Sequence, residues 1–339
     1  NKVINALKCR NAVILAPSPK GALVCTKIVK LMQLAIERVG APKNIVQSLP
    51  EPISKDDTNE LSGLVDLIVA TGSQNNIKRA IQSGTPTLGV GVGNVPVIID
   101  ESADLSDAAH KVMTSKTFDN ATSCSSENSI VIVESIYKKF VKSLQKEGGA
   151  LLTSNEKEIL ASHMWDDKGV INRNVIAKKA TEIASLSGLD SQKFSNSAFL
   201  MVTEEGIGKQ YPFSMEKLSP VLTVYRASDF SHALEITNKL LENQGKGHSC
   251  SIHTQNKDNI LRLGLELPVC RVIVNQAHCF AAGGNFDNAL PFSLSMGCGT
   301  WGNNITDENL NYKHYLNITK VVETIKSIEP SEDDIFSSY

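Results

Sequence analysis

The sequence predicts an α/β protein in which helices cover both faces of a parallel sheet. Short apolar runs of strand length alternate along the chain with longer segments that have helical periodicity. Turn residues, chiefly glycine and proline, separate the two kinds of segment. The chain has 339 residues, 41% of them hydrophobic and 21% charged, which is enough to bury a large core and to form two domains.

The first half of the chain repeats a strand followed by a helix. NAVILAPS (11–18) is typical of a buried strand that ends at prolines, and residues 22–40 after it have helical periodicity. VDLIVATG (65–72) and residues 73–84 form a second such pair, and residues 86–100 return to a strand pattern. Repeated pairs of this kind favour a parallel sheet.

The second half keeps the alternation. The helical patterns cover residues 135–148, 175–188, 229–245 and 256–267. The strand patterns cover residues 129–134, 198–203, 222–227, 248–254 and 270–276. We therefore expect a first domain over residues 1–121, a second α/β domain over 122–306, and a terminal segment over 307–339. Residues 283–304 contain too many glycine and turn residues for regular elements, and loops of that length tend to be functional.

The composition argues against several classes of function. Thirty-four basic residues face 36 acidic ones, and no Lys/Arg run carries interleaved aromatics, so we expect no nucleic-acid partner. The apolar stretches are too short to cross a bilayer and no secretory signal is present, so we expect a cytosolic protein without a membrane partner. Seven cysteines form neither a CxxC pair nor a Cys/His cluster, which predicts reduced thiols and no metal site.

Both ends of the chain depart from this pattern. The first residues, NKVINALKCRN, have the periodicity of the last turns of a helix, with no helix start signal before them. We therefore expect a further segment upstream. The tail SEDDIFSSY is acidic and is expected to fray.

One cysteine lies in an unusual setting. FDNATSCSSENS (118–129) surrounds Cys124 with small polar residues that leave room for a substrate. A thiol acts as a nucleophile only as thiolate, and the polar segment could open a helix whose free N–H groups point at the sulfur. The alternative is a small core residue, which free cysteine usually is.

Other candidate residues are weaker when taken alone. GVGVGN (89–94) could keep the backbone bare for a ligand or a reactive cysteine, and a bulged strand explains it equally well. ATGSQNN (70–76) could bind a phosphate at a helix N-terminus, but a tight turn is the more common reason for such a glycine. His248 could act as a base near neutral pH, although a lone histidine is more often structural. Glu216 is a lone loop carboxylate.

Taken together, these segments resemble the CoA-acylating aldehyde dehydrogenases over nearly the whole chain. The most specific motif is the one around Cys124, which closely resembles the family segment FDN-x-x-x-C-x-S-E. The segments that carry the resemblance are SPKG, ATGSQNNIKRAIQSGTPTLGVGVGNVPVIIDESADL, FDNATSCSSENSIVIVE, MEKLSPVLTVYRASDF, GKGHSCSIHT and LPFSLSMGCGTWGNNITDENLNYKHYLNI.

The resemblance implies a fold and a chemistry. The fold is aldehyde dehydrogenase-like, with a doubly wound cofactor domain, an α/β catalytic domain and a terminal oligomerisation strand. Cys124 matches the nucleophile that attacks an aldehyde, and His248 matches a histidine near it. Hydride then passes to NAD or NADP, and coenzyme A takes the acyl group. Gly89 falls where hydrolytic relatives carry a water-activating glutamate, so the thioester should survive until a better nucleophile arrives.

The cofactor choice between NAD and NADP stays open in the sequence. The turn APSPKG after the first strand carries no carboxylate for a free ribose hydroxyl, while Lys20 could meet a phosphate of NADP or of coenzyme A. Glu216 matches a carboxylate that resembles the superfamily contact to the nicotinamide ribose. The expected cofactor residues are Pro17, Ser18, Lys20, Thr71, Gly72, Ser73, Gly89, Gly91, Gly93 and Glu216.

The segment from Asn275 to Gly302 indicates the substrate. It resembles the corresponding loop of the sulfoacetaldehyde dehydrogenases more than that of acetaldehyde-using relatives. Its candidate head-group ligands are Asn275, Gln276, His278 and Asn285, together with the backbone N–H groups of Gly283 and Gly284. We expect sulfoacetaldehyde to give sulfoacetyl-CoA, with succinate semialdehyde second and acetaldehyde third. An oligomer-contact loop is the alternative explanation.

Two further expectations follow from the resemblance. The superfamily completes its oxyanion hole with an asparagine, and the matching position falls before the first residue of this sequence. A non-catalytic relative that binds nucleotide or CoA is therefore an alternative to an active enzyme. NYKHYLNITKVVE (311–323) resembles the intersubunit strand of the family, which implies a homodimer or a higher homo-oligomer.

Overall fold

The computed structural model describes residues 1–72 and 74–337 and confirms the predicted α/β fold. Within these residues the strands are β1 (Val13–Leu15), β2 (Val46–Ser48), β3 (Ile68–Ala70), β4 (Thr87–Gly89), β5 (Val95–Ile99), β6 (Glu127–Val133), β7 (Gly149–Leu151), β8 (Phe199–Thr203), β9 (Val221–Ala227), β10 (Cys250–His253) and β11 (Val272–Val274). The α-helices are α1 (Lys2–Lys8), α2 (Ala22–Arg38), α3 (Lys55–Leu64), α4 (Gln74–Gln82), α5 (Leu105–Thr117), α6 (Tyr137–Lys146), α7 (Ser154–Met164), α8 (Ala180–Leu186), α9 (Phe230–Asn243), α10 (Lys257–Glu266), α11 (His278–Ala281) and α12 (Glu332–Phe336).

A seven-stranded parallel sheet forms the centre of the molecule. Its strand order is β11-β10-β5-β6-β9-β8-β7. Every residue of β5, β6 and β10 is buried, as expected for parallel strands covered by helices on both faces. Helices α5, α6 and α9 pack against these strands and complete the main apolar core.

Two small parallel sheets carry the first part of the chain. β1 pairs with β2, and β3 pairs with β4, over three residues each. Their strands are only partly buried, except for β4. The pairing places β5 in the large sheet, although its residues precede the boundary near 121 that the sequence predicts. The boundaries at 121 and 306 stay predictions.

Local hydrogen bonds shape several helix ends. The pattern over 175–188 predicts a longer helix than α8, which begins at Ala180 because Ala177 has a φ of 59° and its N–H donates to Leu218. Helix α7 begins at a capping box in which Thr153 and Glu156 each accept a backbone N–H of the other. Such capping fixes where a helix starts even when its apolar pattern is weak.

The terminal segment is extended. Residues 316–331 have no strand partner in the described chain, and α12 follows them. Their apolar side chains are exposed, namely Leu316, Ile318, Val321, Val322, Ile325 and Ile328. The intersubunit role of this segment stays a prediction. Among the described residues, no helix has the length and apolar character needed to cross a membrane.

Candidate active site

Cys124 lies in the turn that connects α5 to β6. After α5 ends, Asp119, Asn120 and Ala121 all have positive φ, which turns the chain sharply back toward the sheet. The expectation that a helix opens beside Cys124 is wrong, because β6 begins at Glu127. The sulfur is therefore placed at the start of a buried strand and not at a helix N-terminus.

The other candidate residues occupy the same edge of the sheet. Gly93 lies two residues before β5, His248 lies two residues before β10, and Glu216 precedes β9. These strands and β6 are parallel neighbours in the order β10-β5-β6-β9, so their starting residues lie at one edge. The sheet topology thus brings together residues that are far apart in the sequence.

Glycines keep this edge open for the cysteine. A Cβ atom on Gly93 would lie 1.9 Å from the carbonyl oxygen of Cys124 and 2.9 Å from its Cβ. A Cβ atom on Gly91 would lie 2.7 Å from Sγ of Cys298. The bare backbone of GVGVGN therefore has a steric reason at both positions, and Gly93 is required for the close approach of Cys124.

His248 is the nearest polar partner of the thiol. Its Nε2 lies 3.3 Å from Sγ of Cys124, and the residue is fully buried. The guanidinium of Arg271 donates to the backbone carbonyl of His248 over 3.1 Å and to that of Gly297 over 2.8 Å. Arg271 therefore ties the histidine segment to the glycine-rich loop around Cys298.

The resting pair is uncharged. Burial raises the pKa of the Cys124 thiol to about 12, and the Glu216 carboxylate adds to the effect. Burial also lowers the pKa of His248 to about 3, and the positive charge of Arg271 lowers it further. The expectations of a thiol pKa lowered by a helix and of a histidine pKa near neutrality are therefore wrong for this state.

Glu216 has the character of an unfilled binding group. Burial raises its pKa to about 8, against a hydrogen bond from the Gly93 N–H, so the carboxyl is mostly protonated at pH 7. Its Oε1 is buried and has no hydrogen-bond partner within the described residues. A buried oxygen without a partner favours an external donor, such as a ribose hydroxyl.

The sequence patterns did not predict the network of asparagine amides next to the site. Asn128 donates to Oδ1 of Asn94 over 2.5 Å, and its own Oδ1 accepts the N–H of Lys217. Asn94 donates in turn to the carbonyls of Ser214 and Gln244. The segments around Gly93, Cys124 and Glu216 are therefore fixed to one another. The sequence signal is that Asn94 ends the motif GVGVGN and Asn128 lies in the motif around Cys124.

Two buried residues of opposite charge were also missed. Lys116 and Glu127 are both 1% exposed. Burial lowers the pKa of Lys116 and raises that of Glu127, while their mutual attraction opposes both shifts. Oε1 of Glu127 accepts the N–H of His278, and the Ser115 hydroxyl accepts the N–H of Cys279. Glu127 and Ser115 therefore hold the start of α11, against β6 and the end of α5 respectively.

Apart from Gly91, Gly93 and Glu216, the expected cofactor residues in the described chain lie in two turns and at one strand end. Pro17, Ser18 and Lys20 form the turn between β1 and α2, with Lys20 exposed, and Thr71 and Gly72 follow β3. Turns after parallel strands are where dinucleotides bind in such sheets. Ser73 lies outside the described residues.

Gly89 ends β4 without room for a side chain. A Cβ atom there would lie 2.8 Å from Cγ2 of Ile77. The position is buried, and the tight contact comes from helix α4. A water-activating carboxylate would therefore have to displace that helix side chain.

The expected head-group ligands are mostly engaged within the protein. Both sides of the Asn275 amide bond the backbone of Thr254, and His278 is fully buried against Ser249. The expectation of free donors is therefore wrong for these two residues. It is also wrong for Gly284, whose N–H donates to the Ala281 carbonyl.

Gln276 and Asn285 are half-buried and share the partner Asn288. Oε1 of Gln276 accepts from the Asn288 amide, and the Asn285 backbone N–H donates to its Oδ1. A head-group role for these two side chains stays a prediction.

The fold and the site together define a dehydrogenase with a cysteine at the edge of its catalytic sheet. Residues 1–287 match the model of the aldehyde dehydrogenase family, and the chain belongs to that family, on its CoA-acylating branch. The chain is 54% identical over 339 residues to sulfoacetaldehyde dehydrogenase (acylating) of Cupriavidus necator, covering 100% of this chain and 69% of that protein.

Two other proteins agree with this placement. Succinate-semialdehyde dehydrogenase (acetylating) of Clostridium kluyveri is 34% identical over 98% of this chain and 72% of its own length. The crystal structure of an acetylating aldehyde dehydrogenase from Geobacillus thermoglucosidasius superposes with a TM-score of 0.92 at 37% identity, covering 97% of this chain and 72% of that one. The predicted family and fold are confirmed.

Proposed function

We propose that this protein oxidises sulfoacetaldehyde to sulfoacetyl-CoA, with NAD or NADP as hydride acceptor and coenzyme A as acyl acceptor. The observation that carries the proposal is the Cys124 thiol, 3.3 Å from a neutral His248, in a turn that Gly93 leaves open. A lone structural cysteine would need neither the buried histidine nor the bare glycine. The substrate follows from the 54% identical relative of that name.

The chemistry begins at Cys124. Its sulfur adds to the aldehyde carbon, and the thiol proton goes to the carbonyl oxygen by way of the site, which gives a thiohemiacetal. The nicotinamide cofactor, when bound, would accept the hydride that leaves this carbon, while the hydroxyl proton passes to solvent and a thioester remains on Cys124. His248 stays beside the sulfur throughout and is the group that can exchange a proton or a hydrogen bond with it. Exchange with the thiol of coenzyme A then returns Cys124 and its proton.

Residues of this chain fit the cofactor. The unpartnered Oε1 of Glu216 offers an acceptor to a ribose hydroxyl, beside a backbone that Gly91 and Gly93 keep free of side chains. Thr71 and Gly72 would border the nucleotide at the turn after β3, with Pro17, Ser18 and Lys20 at the turn after β1. Lys20 is the candidate for a phosphate, either of NADP or of coenzyme A.

The site favours coenzyme A over water as acyl acceptor. Gly89 has no carboxylate and no room for one, and the raised pKa of Glu216 keeps that group mostly protonated at neutral pH. Without an ionised carboxylate to activate water, the thioester on Cys124 should persist until a thiol attacks it. The protein should therefore release little free acid.

We further propose a cytosolic homo-oligomer. The row of exposed apolar side chains between Leu316 and Ile328 would pair with the sheet of a second copy. The seven cysteines are all free, which suits a reducing compartment. Light scattering of the purified protein should give at least twice the monomer mass, and a monomer at micromolar concentration would contradict this proposal.

The substrate proposal is tested by comparing three aldehydes with coenzyme A present. We expect kcat/KM to fall from sulfoacetaldehyde to succinate semialdehyde to acetaldehyde. A site that binds an anionic head group binds a neutral substrate less well, so kcat/KM for acetaldehyde should be lower on the order of 10²-fold. Equal values for sulfoacetaldehyde and acetaldehyde would contradict the head-group assignment. Absence of acyl-CoA with every aldehyde would favour a non-catalytic relative.

A second assay tests the acyl acceptor. Without coenzyme A we expect a single turnover of cofactor per site and then a stop. Sustained production of free acid would show that some other group of the site activates water.

A further inference from the structure

A continuous line of polar contacts leads from the thiol into the interior. Nε2 of His248 lies 3.3 Å from Sγ of Cys124, and Nδ1 of the same ring lies 2.7 Å from the Ser249 hydroxyl. That hydroxyl is also 2.9 Å from Nε2 of His278. His248, Ser249 and His278 are all fully buried. Two imidazoles therefore share one serine hydroxyl out of reach of water.

The two ends of this line are held by the backbone. Arg271 donates to the carbonyl of His248, and Glu127 accepts the N–H of His278. These contacts fix the backbone at His248 and at His278. The side chains of His248, Ser249 and His278 can therefore change which atom donates each hydrogen bond but not their positions.

The Ser249 hydroxyl has one proton and can accept two hydrogen bonds. If it accepted from both imidazoles, its own buried O–H would have no acceptor among the described residues, because its hydrogen bonds there are those with His248 and His278. Two directions therefore remain in which this proton is used. In one, Ser249 donates to His278, and His278 must then carry its proton on Nδ1. That atom is buried and has no hydrogen-bond partner in residues 1–72 and 74–337. A buried N–H without an acceptor is rarer and more costly than a buried acceptor without a donor.

The other direction leaves no N–H without an acceptor. Nε2 of His278 donates to Ser249, and Ser249 donates to Nδ1 of His248. The single proton of the neutral His248 ring is then on Nε2, which faces the sulfur.

We propose that His278 is a positioning residue that acts through Ser249 to keep the proton of His248 on Nε2, as a hydrogen-bond donor to the sulfur of Cys124. This inference rests on the proposed function of Cys124 as nucleophile. The donor stabilises the sulfur when it is charged, both before it attacks the aldehyde and when it leaves as coenzyme A takes the acyl group. His278 thus acts through Ser249 and His248 rather than on the substrate itself.

Alkylation of Cys124 by iodoacetamide tests this hydrogen-bond donor directly. The rate is measured as a function of pH, without substrate. Peptide mass spectrometry must follow Cys124 alone, since other thiols are accessible. In the S249A variant we expect the thiolate titration to move to higher pH and the rate at pH 8 to fall on the order of tenfold, the effect of one charge-assisted hydrogen bond. The titratable or charged groups of the described residues that face this line are Glu216, Glu127, Cys298, Cys279, Arg271 and His253.

Two variants of His278 form a matched pair. H278Q can place an amide N–H near the position of Nε2 and should keep most of the rate, while H278M should lose about as much as S249A. Because both residues act on the same proton, the S249A/H278M double variant should alkylate within about twofold of S249A. A residue that only fills space would give equal rates for glutamine and methionine.

Several outcomes would overturn the inference. They are an unchanged pH profile in S249A, equal loss in H278Q and H278M, or additive loss in the double variant. If H278M does not fold, S249A and H278Q still decide the question. The assay needs no aldehyde, so it is separate from the proposed function. Wild-type protein that alkylates as expected but makes no acyl-CoA would contradict the function and not the positioning.

Discussion

The large sheet and the two small sheets differ in how their strands are covered. All seven residues of β6 are buried, whereas every residue of β3 is only partly buried. Helix α2, beside β2, leaves Leu23, Leu31 and Leu34 more than half exposed. Local stability follows buried apolar contact, so the two regions should open at different free energies. Cys124 and its partners thus lie on the large sheet, which is the rigid region. The turns expected to bind nucleotide lie on the small sheets, which are less well covered.

The largest effect should come from the rigid region. In Cys124→Ala the nucleophile is lost, and we expect acyl-CoA formation to fall by at least about 10³-fold. Cofactor binding and thermal stability should change little. The control is Cys25→Ala on α2, a half-buried thiol of the other region, which should keep full activity. Loss of acyl-CoA formation in both variants would contradict the contrast between the two regions.

A glycine pair sharpens the contrast further. Gly93→Ala forces a Cβ against the Cys124 carbonyl, and the displaced sulfur should lower kcat by about 10²-fold. In Gly63→Ala on α3, the new Cβ meets no atom of the described residues within 4 Å, and the variant should raise the free energy of unfolding by about 0.5–1 kcal/mol. Steady-state kinetics and denaturant unfolding of the two variants test this. An active Gly93→Ala enzyme would mean that the turn can shift.

Glu216 makes stability depend on pH. Its pKa in the folded protein, about 8, lies above its ordinary value of 4.5, so the folded state binds this proton more tightly. The stabilisation is complete below about pH 4.5 and is lost as pH rises through about 8, on the order of a few kcal/mol. Glu216→Gln should therefore gain in Tm relative to wild type between pH 5.5 and 8.5, measured without cofactor. If the Tm difference between Glu216→Gln and wild type did not change with pH, the raised pKa of Glu216 would be contradicted.

The smallest effect is expected at the exposed turn after β1. Lys20→Ala removes one solvent-exposed phosphate contact and should raise a KM by roughly two- to fivefold. Separate KM values for NAD, NADP and coenzyme A identify the ligand, because only one that meets Lys20 responds. Lys27→Ala on the exposed side of α2 is the control. No change in any of the three would remove Lys20 from the site.

The sequence predicted the parts of the site that depend on local pattern. Buried strands such as β6 are apolar runs, and Cys124 is conspicuous because its neighbours are small and polar. The contact of Cys124 with His248 depends on strand order, which an alternation of strands and helices does not specify. The family resemblance supplied that pairing where periodicity could not.

The buried polar residues could not be predicted from the sequence for a different reason. Lys116 and Glu127 have ordinary surface-residue character in a sequence, and only tertiary packing makes them a buried pair. Asn275 and His278 were assigned to the substrate because their chemistry suits an anion. Each has protein partners instead, and donor type alone does not indicate which way a side chain points.

The position of β5 between β6 and β10 has a consequence for how the protein folds. Val97 pairs with Ile130 on one side and with Ser251 on the other, so one neighbour is synthesised soon after β5 and the other much later. Pairings between distant segments form slowly, because a long loop must close first. A nascent chain can therefore assemble β5 and β6 with the Cys124 turn well before His248 exists. During that interval the thiol is without its imidazole neighbour, and refolding experiments should show reactivity toward thiol reagents maturing in a late phase.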